Sequence, residues 1–238
     1  MAEGRSAPGG AAGADPAWRP PEALSRVAEL DHDRLGRRGY AEAVLCEPKS
    51  VDHLVTIAGQ VRSSGTPTLF TRVRDDQVGP LLDALPGARH EPEARLVVVP
   101  AEPPEPTGGL VVVVAAGTSD LPVALEALHT ARHLGRACEL VVDVGVAGLH
   151  RVLGHLDLLR RARVLVVVAG MDGALPGVVA GLVAAPVVAV PTSVGYGASF
   201  SGLAPLLTML TACAPGVSVV GIDNGYGAGH VAAQVAAS

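Results

Sequence analysis

A chain of 238 residues has room for one large domain or two small ones, and 49 % hydrophobic residues supply ample core material. Aromatics make up only 3 %, so Val, Ala and Leu must build that core, and valine blocks broken by glycine suit a parallel sheet covered on both faces. The net charge of −5 argues against a nucleic-acid protein, because phosphate binding needs clustered Lys and Arg; three cysteines without CxxC spacing give neither a disulfide framework nor a zinc site.

The first 20 residues are Gly, Ala and Pro with little else and read as a disordered tail. No basic segment followed by an apolar run marks a signal peptide, and three cysteines without a disulfide framework make a reducing cytoplasm the expected location. Residues 21–100 read as a small α/β domain. A polar helix is expected over 22–35, a strand over Ala41–Glu47, an amphipathic helix over Val51–Arg62, and strands over Thr68–Arg72 and Leu96–Pro100. Residues 101–109 (Ala-Glu-Pro-Pro-Glu-Pro-Thr-Gly-Gly) read as a stiff linker in which nothing can pack.

From 110 to 238, five apolar strands (110–115, 139–143, 164–169, 187–190, 217–222) alternate with helices (120–134, 148–161, 174–183, 201–212, 225–236). Strict alternation predicts a parallel, doubly wound α/β sheet with right-handed crossovers. The apolar run 164–190 is interrupted by Asp172, Gly173, Pro176 and Pro186, which favours strand, loop, helix and strand over a membrane span.

Ligands of such sheets sit at the C-terminal ends of the strands, which selects five loops. In the first, Gly117-Thr118-Ser119-Asp120, Ser119 or Asp120 caps the next helix, or the loop offers N–H groups and hydroxyls to a phosphate. Asp143, ahead of Gly145, either caps a helix or binds ligand or metal. Asp172, in Gly170-Met171-Asp172-Gly173, is a lone charge in an apolar stretch and needs partners or a function. The loop with Thr192, Ser193, Gly195, Tyr196 and Gly197 is long, polar and able to approach an anion through its backbone. Asp223 and Asn224 are candidates to cap the last helix. His150 is the histidine nearest to these loops, whereas His129 and His133 read as a solvated pair without a third metal ligand. Cys213 follows the fourth helix; by residue type alone it is a small buried hydrophobe, as are Cys46 and Cys138. No Walker motif or complete GxGxxG occurs.

Gly117-Thr-Ser-Asp120, Ala169-Gly170, Leu175-Pro176-Gly177 and Pro186–Pro191 resemble the PurE family, which rearranges a carboxyaminoimidazole ribonucleotide on a flavodoxin-like fold. The runs Ala116–Ala124, Asp143–Arg151, Val168–Met171, Gly173–Pro176, Val190–Phe200 and Ile222–Gly225 more closely resemble LarB, as does Asp33–Tyr40 in the N-terminal part. Together they cover about residues 33–237. PurE has a catalytic histidine just before Leu-Pro-Gly, where this chain has Ala174, and PurE lacks the cysteine that LarB carries at Cys213. LarB usually has glutamate where this chain has Asp172.

The LarB resemblance implies a PurE-like, flavodoxin-type domain behind a smaller α/β domain. It implies a pyridinium-3,5-biscarboxylic acid mononucleotide synthase, which takes nicotinic acid adenine dinucleotide and CO2 and releases AMP. Cys213 and Asp172 are the catalytic candidates. The implied substrate contacts are Gly117, Thr118, Ser119, Asp120, Asp143, Gly145, His150, Gly170, Met171, Gly173, Thr192, Ser193, Gly195, Tyr196, Gly197, Asp223 and Asn224. No tightly bound cofactor is implied. CO2 is a co-substrate, and magnesium is a candidate ion at Asp143 or Asp223. Nucleic acid and membrane are not expected partners, and a homo-octamer is the implied assembly. The alternatives are a PurE-type mutase and a nucleotide-binding module without catalysis.

Overall fold

The computed structural model describes residues 34–40 and 42–237. The tail over 1–20 and nearly all of the helix expected over 22–35 lie outside the described residues.

The N-terminal part runs α1 (Arg34–Arg38), β1 (Ala43–Leu45), α2 (Val51–Ser64), β2 (Thr68–Thr71), α3 (Asp75–Ala84), β3 (Arg89–Glu91) and β4 (Leu96–Val99). Helix α2 starts where Ser50 accepts the His53 N–H and ends at Gly65, whose φ of 64° lets its N–H turn back to the Val61 carbonyl. The sheet order is β1-β2-β4-β3, with β1 parallel to β2 and the other pairs antiparallel. One face buries Phe70 and Val97 against Leu54, Ile57, Val61, Leu81 and Leu85. The other buries Leu69, Leu96 and Val98 against Leu125 and Tyr226 of the second half. Each such fully buried side chain contributes roughly 1.5–3 kcal/mol relative to exposure, so this sheet face is also the seam between the halves.

The expected linker packs. Thr107 N–H donates to the Gly135 carbonyl, and Arg136 Nη1 to the Thr107 carbonyl at 2.8 Å. Gly109 N–H donates to the Ala236 carbonyl at 2.8 Å, and Arg89 holds Glu102 at 3.0 Å. Its lack of apolar side chains concealed this, because backbone groups make most of the contacts.

The second half runs β5 (Val111–Ala115), α4 (Leu121–His133), β6 (Cys138–Val141), α5 (Leu149–Gly154), α6 (Leu156–Arg161), β7 (Val164–Ala169), α7 (Leu175–Ala180), β8 (Val187–Pro191), α8 (Leu203–Leu210), β9 (Val217–Val219) and α9 (Gly225–Val235). All five strands are parallel in the order β6-β5-β7-β8-β9. This is the expected doubly wound α/β sheet, and the order reverses between β5 and β7, where such folds open a ligand crevice. The valines of β5 and β7 are wholly buried, with α4 and α9 on one face and α5, α6 and α7 on the other. A side chain at Gly229 would collide with the Ala127 carbonyl, so glycine permits the close approach of α4 and α9. The single helix expected over 148–161 is two, broken after Gly154. The helix expected from 201 starts at 203, because Phe200, Ser201 and Gly202 all have positive φ.

No described helix is long and apolar enough to cross a membrane.

Candidate active site

The strand ends at the reversal point form a cavity of about 390 Å³. It is lined by Ala116, Gly117, Ser119 and Asp120 after β5, Gly145, Val146 and Ala147 after β6, and Ala169, Gly170, Met171 and Asp172 after β7, with Leu175 and Val194.

Asp120 ties these loops together. Its carboxylate is buried, accepting from Thr192 Oγ1 at 2.7 Å on one oxygen and from the Gly117 N–H at 3.0 Å on the other. Burial pushes its pKa up; the Thr192 hydroxyl and the N–H groups of Gly117 and Gly170 pull the other way. Asp120 therefore does not cap α4; it folds back to fix the loop that precedes it. Gly170 sits where a Cβ would collide with the Val194 carbonyl and lie 2.6 Å from Thr192 Oγ1. The Met171 N–H donates to that same carbonyl at 2.9 Å. The loops after β5, β7 and β8 thus form one bonded unit.

Asp172 is exposed at the tip of its turn rather than buried in apolar surroundings, and its Oδ1 accepts the Ala174 N–H at 3.2 Å. Asp143 is exposed, with φ of 60°, and pairs with Arg151 Nη1 at 2.6 Å. His150 is exposed and outside the cavity lining. Asp223 Oδ1 accepts the Ser193 N–H at 2.8 Å, and its main-chain oxygen accepts from Arg72 Nη2 at 2.6 Å. Asn224 caps α9 through the Gly227 N–H at 2.8 Å. Thr118, Thr192, Ser193, Gly195, Tyr196 and Gly197 also lie outside the cavity lining, and Tyr196 is 81 % exposed.

Cys213 is exposed and lines a second depression of about 390 Å³ with Gly173, Ala174, Gly177, Val178, Thr208 and Met209. The Met171–Ala174 turn separates the two hollows, with Asp172 in one and Gly173 in the other. Burial pushes the thiols of Cys46 and Cys138 up to about 12, so neither is a nucleophile near neutral pH.

His129 and His133 are half-buried rather than solvated. They pack against the N-terminal half, with His129 Nδ1 3.8 Å from Glu91 Oε1, and burial lowers the pKa of both.

Among the described residues no three His, Cys, Asp or Glu side chains gather as a metal cluster. With Asp143 held by Arg151 and Asp223 by Ser193, the two candidate magnesium ligands do not form a preformed cage.

Residues 22–101 match the model of the LarB/PurE-like N-terminal domain, and residues 110–238 match that of AIR carboxylase. The chain belongs to the AIR carboxylase family, in the two-domain arrangement of the LarB type. Among relatives of this LarB-type chain, an uncharacterized protein of Methanocaldococcus jannaschii is 36 % identical over 225 residues, 90 % of this chain and 86 % of its own. The N5-carboxyaminoimidazole ribonucleotide mutase of the same organism is 32 % identical over 133 residues, 54 % of this chain and 79 % of its own.

Sequence reasoning on this LarB-type chain missed Arg72, which bonds the Asp223 main chain from the other domain, and the apolar lining residues Val146, Leu175 and Val194. Nothing in the local sequence around Arg72 signals its partner 151 residues away.

Proposed function

We propose that this protein carboxylates the pyridinium ring of nicotinic acid adenine dinucleotide with CO2 and hydrolyses its phosphoanhydride. The products are AMP and pyridinium-3,5-biscarboxylic acid mononucleotide, opening nickel-pincer cofactor synthesis. The observation that carries this reading is an exposed Cys213 beside the turn that bears Asp172, in a chain with Ala174 where the mutase has its histidine.

A pyridinium ring is electron-poor and does not attack CO2. The Cys213 thiolate adds to a ring carbon, and the ring nitrogen takes up the electron pair, which leaves a neutral dihydropyridine. Its enamine carbon attacks CO2 and forms the new C–C bond. The Asp172 carboxylate accepts the proton from that carbon, and departure of the thiolate restores the aromatic pyridinium. Water cleaves the phosphoanhydride to release AMP. The loops Gly117–Asp120 and Thr192–Ser199 hold phosphates and carboxylate through N–H groups and hydroxyls.

The same reading takes the protein to be a cytoplasmic homo-octamer. Leu203, Leu207 and Leu210 fall at i, i+4 and i+7 on α8, with 45, 53 and 61 % exposure, and Phe200 beside them is 70 % exposed. An apolar stripe of this kind supports self-association; a monomer by light scattering would contradict it.

The mutase relative favours a second reading, a carboxyaminoimidazole ribonucleotide mutase. One experiment separates the two: purified protein is incubated with nicotinic acid adenine dinucleotide and bicarbonate, and the products are weighed by mass spectrometry. A dicarboxylated mononucleotide together with AMP is expected. Intact dinucleotide, with turnover of the carboxyamino ribonucleotide, would transfer the function to the mutase.

A further inference from the structure

Arg72 lies at the end of β2, in the N-terminal half, yet its guanidinium Nη2 donates to the main-chain oxygen of Asp223 at 2.6 Å. Glu47 steadies it: Glu47 Oε2 is 3.9 Å from Arg72 Nη1, and the other carboxylate oxygen takes Arg95 at 3.1 Å. Burial raises the pKa of Glu126 on α4, and the charge of Arg72 opposes that rise.

Asp223 has φ of 55°, a left-handed conformation disfavoured for residues with a side chain, so something must hold it. Its N–H donates to the Pro191 carbonyl, Arg72 takes its own carbonyl, and its carboxylate receives the Ser193 N–H at 2.8 Å. Ser193 stands between Thr192, bonded to Asp120 in the cavity wall, and Val194, which lines the cavity. An unbroken series of polar contacts therefore runs from Glu47 through Arg72 and Asp223 to the loop over the site.

We propose that Arg72 is a positioning residue for the active site, through which the N-terminal domain sets the Thr192–Gly195 loop. The inference rests on the synthase reading for the identity of the substrate alone.

An arginine that merely supported folding would reduce the amount of active protein, lowering apparent kcat and leaving KM unchanged. One that positions a binding loop moves KM. In Arg72→Ala, KM for nicotinic acid adenine dinucleotide is expected to rise about tenfold or more, since remote misplacement by about 1 Å can cost about a hundredfold. Arg72→Lys, which keeps one cationic donor, recovers part of the loss and guards against a variant that fails to fold. Combining Arg72→Ala with Asp223→Ala, which removes the side-chain acceptor of the Ser193 N–H, should raise KM less than the two single effects multiplied, because the two contacts act in series on one loop.

Amide hydrogen exchange supplies a readout that needs no substrate: exchange at the Ser193 N–H should be about tenfold faster or more in Arg72→Ala, with melting close to wild type. An unchanged KM with lowered kcat, or unchanged exchange at Ser193, overturns the inference. A wild-type protein that leaves the dinucleotide intact overturns the synthase reading instead, and the exchange at Ser193 still decides the role of Arg72.

Discussion

The Thr192 hydroxyl donates to Asp120 Oδ1 at 2.7 Å, between two residues buried at the ends of β8 and β5, 72 positions apart. Hydrogen bonds to a charged, buried acceptor contribute about 1.5–3 kcal/mol. Thr192→Val keeps the shape and deletes the donor, so a loss of that size is expected at pH 7. Burial already raises the Asp120 pKa, so the folded protein holds more protons there than the unfolded chain, and stability falls as pH climbs through the folded value. Loss of the Thr192 donor raises that value further. The gap between variant and wild type should be widest at neutral pH and should narrow in acid; urea unfolding across a pH series measures it, and a constant gap would clear Asp120.

Gly170 and Gly177 should answer alanine in opposite ways. A Cβ at Gly170 runs into the Val194 carbonyl and the Thr192 hydroxyl, so Gly170→Ala overpacks the loops, at a cost of about 1–3 kcal/mol. At Gly177, inside α7, the closest atom is Ala212 Cβ at 3.9 Å, and alanine gains about 0.5–1 kcal/mol of helix preference. Thermal melts of the two variants side by side check both signs.

The strands of the parallel sheet were legible because they are buried on both faces: Val111–Val114 and Val164–Val168 have no exposure, so continuous valine is their signature. Helix α3 left little trace, since Gly79 and Pro80 interrupt its pattern, and β3 (Arg-His-Glu) is a polar edge strand with no hydrophobic alternation. The loops of the site could be picked out because the fold class dictates where they lie. Which side chains meet there could not: Asp120 with Thr192, Asp223 with Arg72 and Asp143 with Arg151 are set by packing, and two of the three pairs join distant segments.

Cys213 is exposed, while burial raises the Cys46 and Cys138 thiols to about 12. Iodoacetamide near neutral pH should therefore label Cys213 first, read by peptide mass mapping, and nicotinic acid adenine dinucleotide should slow the labelling. Cys213→Ala should abolish carboxylation, because no other thiol in the chain is accessible at that site. Carboxylation that survives the substitution removes the covalent step.

Among the described residues Asp172 bonds only to the Ala174 N–H, so little of the fold depends on its charge. Asp172→Asn should leave the melting temperature within a few degrees and slow turnover about a hundredfold or more, within the range general-base catalysis supplies. Asp172→Glu keeps the base and lengthens its reach by one methylene, so it should retain measurable turnover. Equal rates for Asp172→Asn and wild type would remove Asp172 from the proton transfer.

The seam between the two halves should weaken in mild acid. His129 and His133 sit on one face of α4, with Glu91 and Arg89 of β3 opposite and Arg132 on the helix itself; burial lowers the pKa of both histidines, and Glu91 only partly opposes it. A histidine whose pKa falls on folding binds fewer protons in the folded protein, so stability is lost as pH drops below about 6.5, its ordinary value. Each histidine can contribute a slope of up to about 1.4 kcal/mol per pH unit within that window. The double variant His129→Gln, His133→Gln carries no such proton uptake, so its unfolding free energy should be flatter between pH 7 and 5 than that of the wild type. Denaturant unfolding at half-unit pH steps decides the matter: identical slopes would mean that the histidines charge without straining the seam.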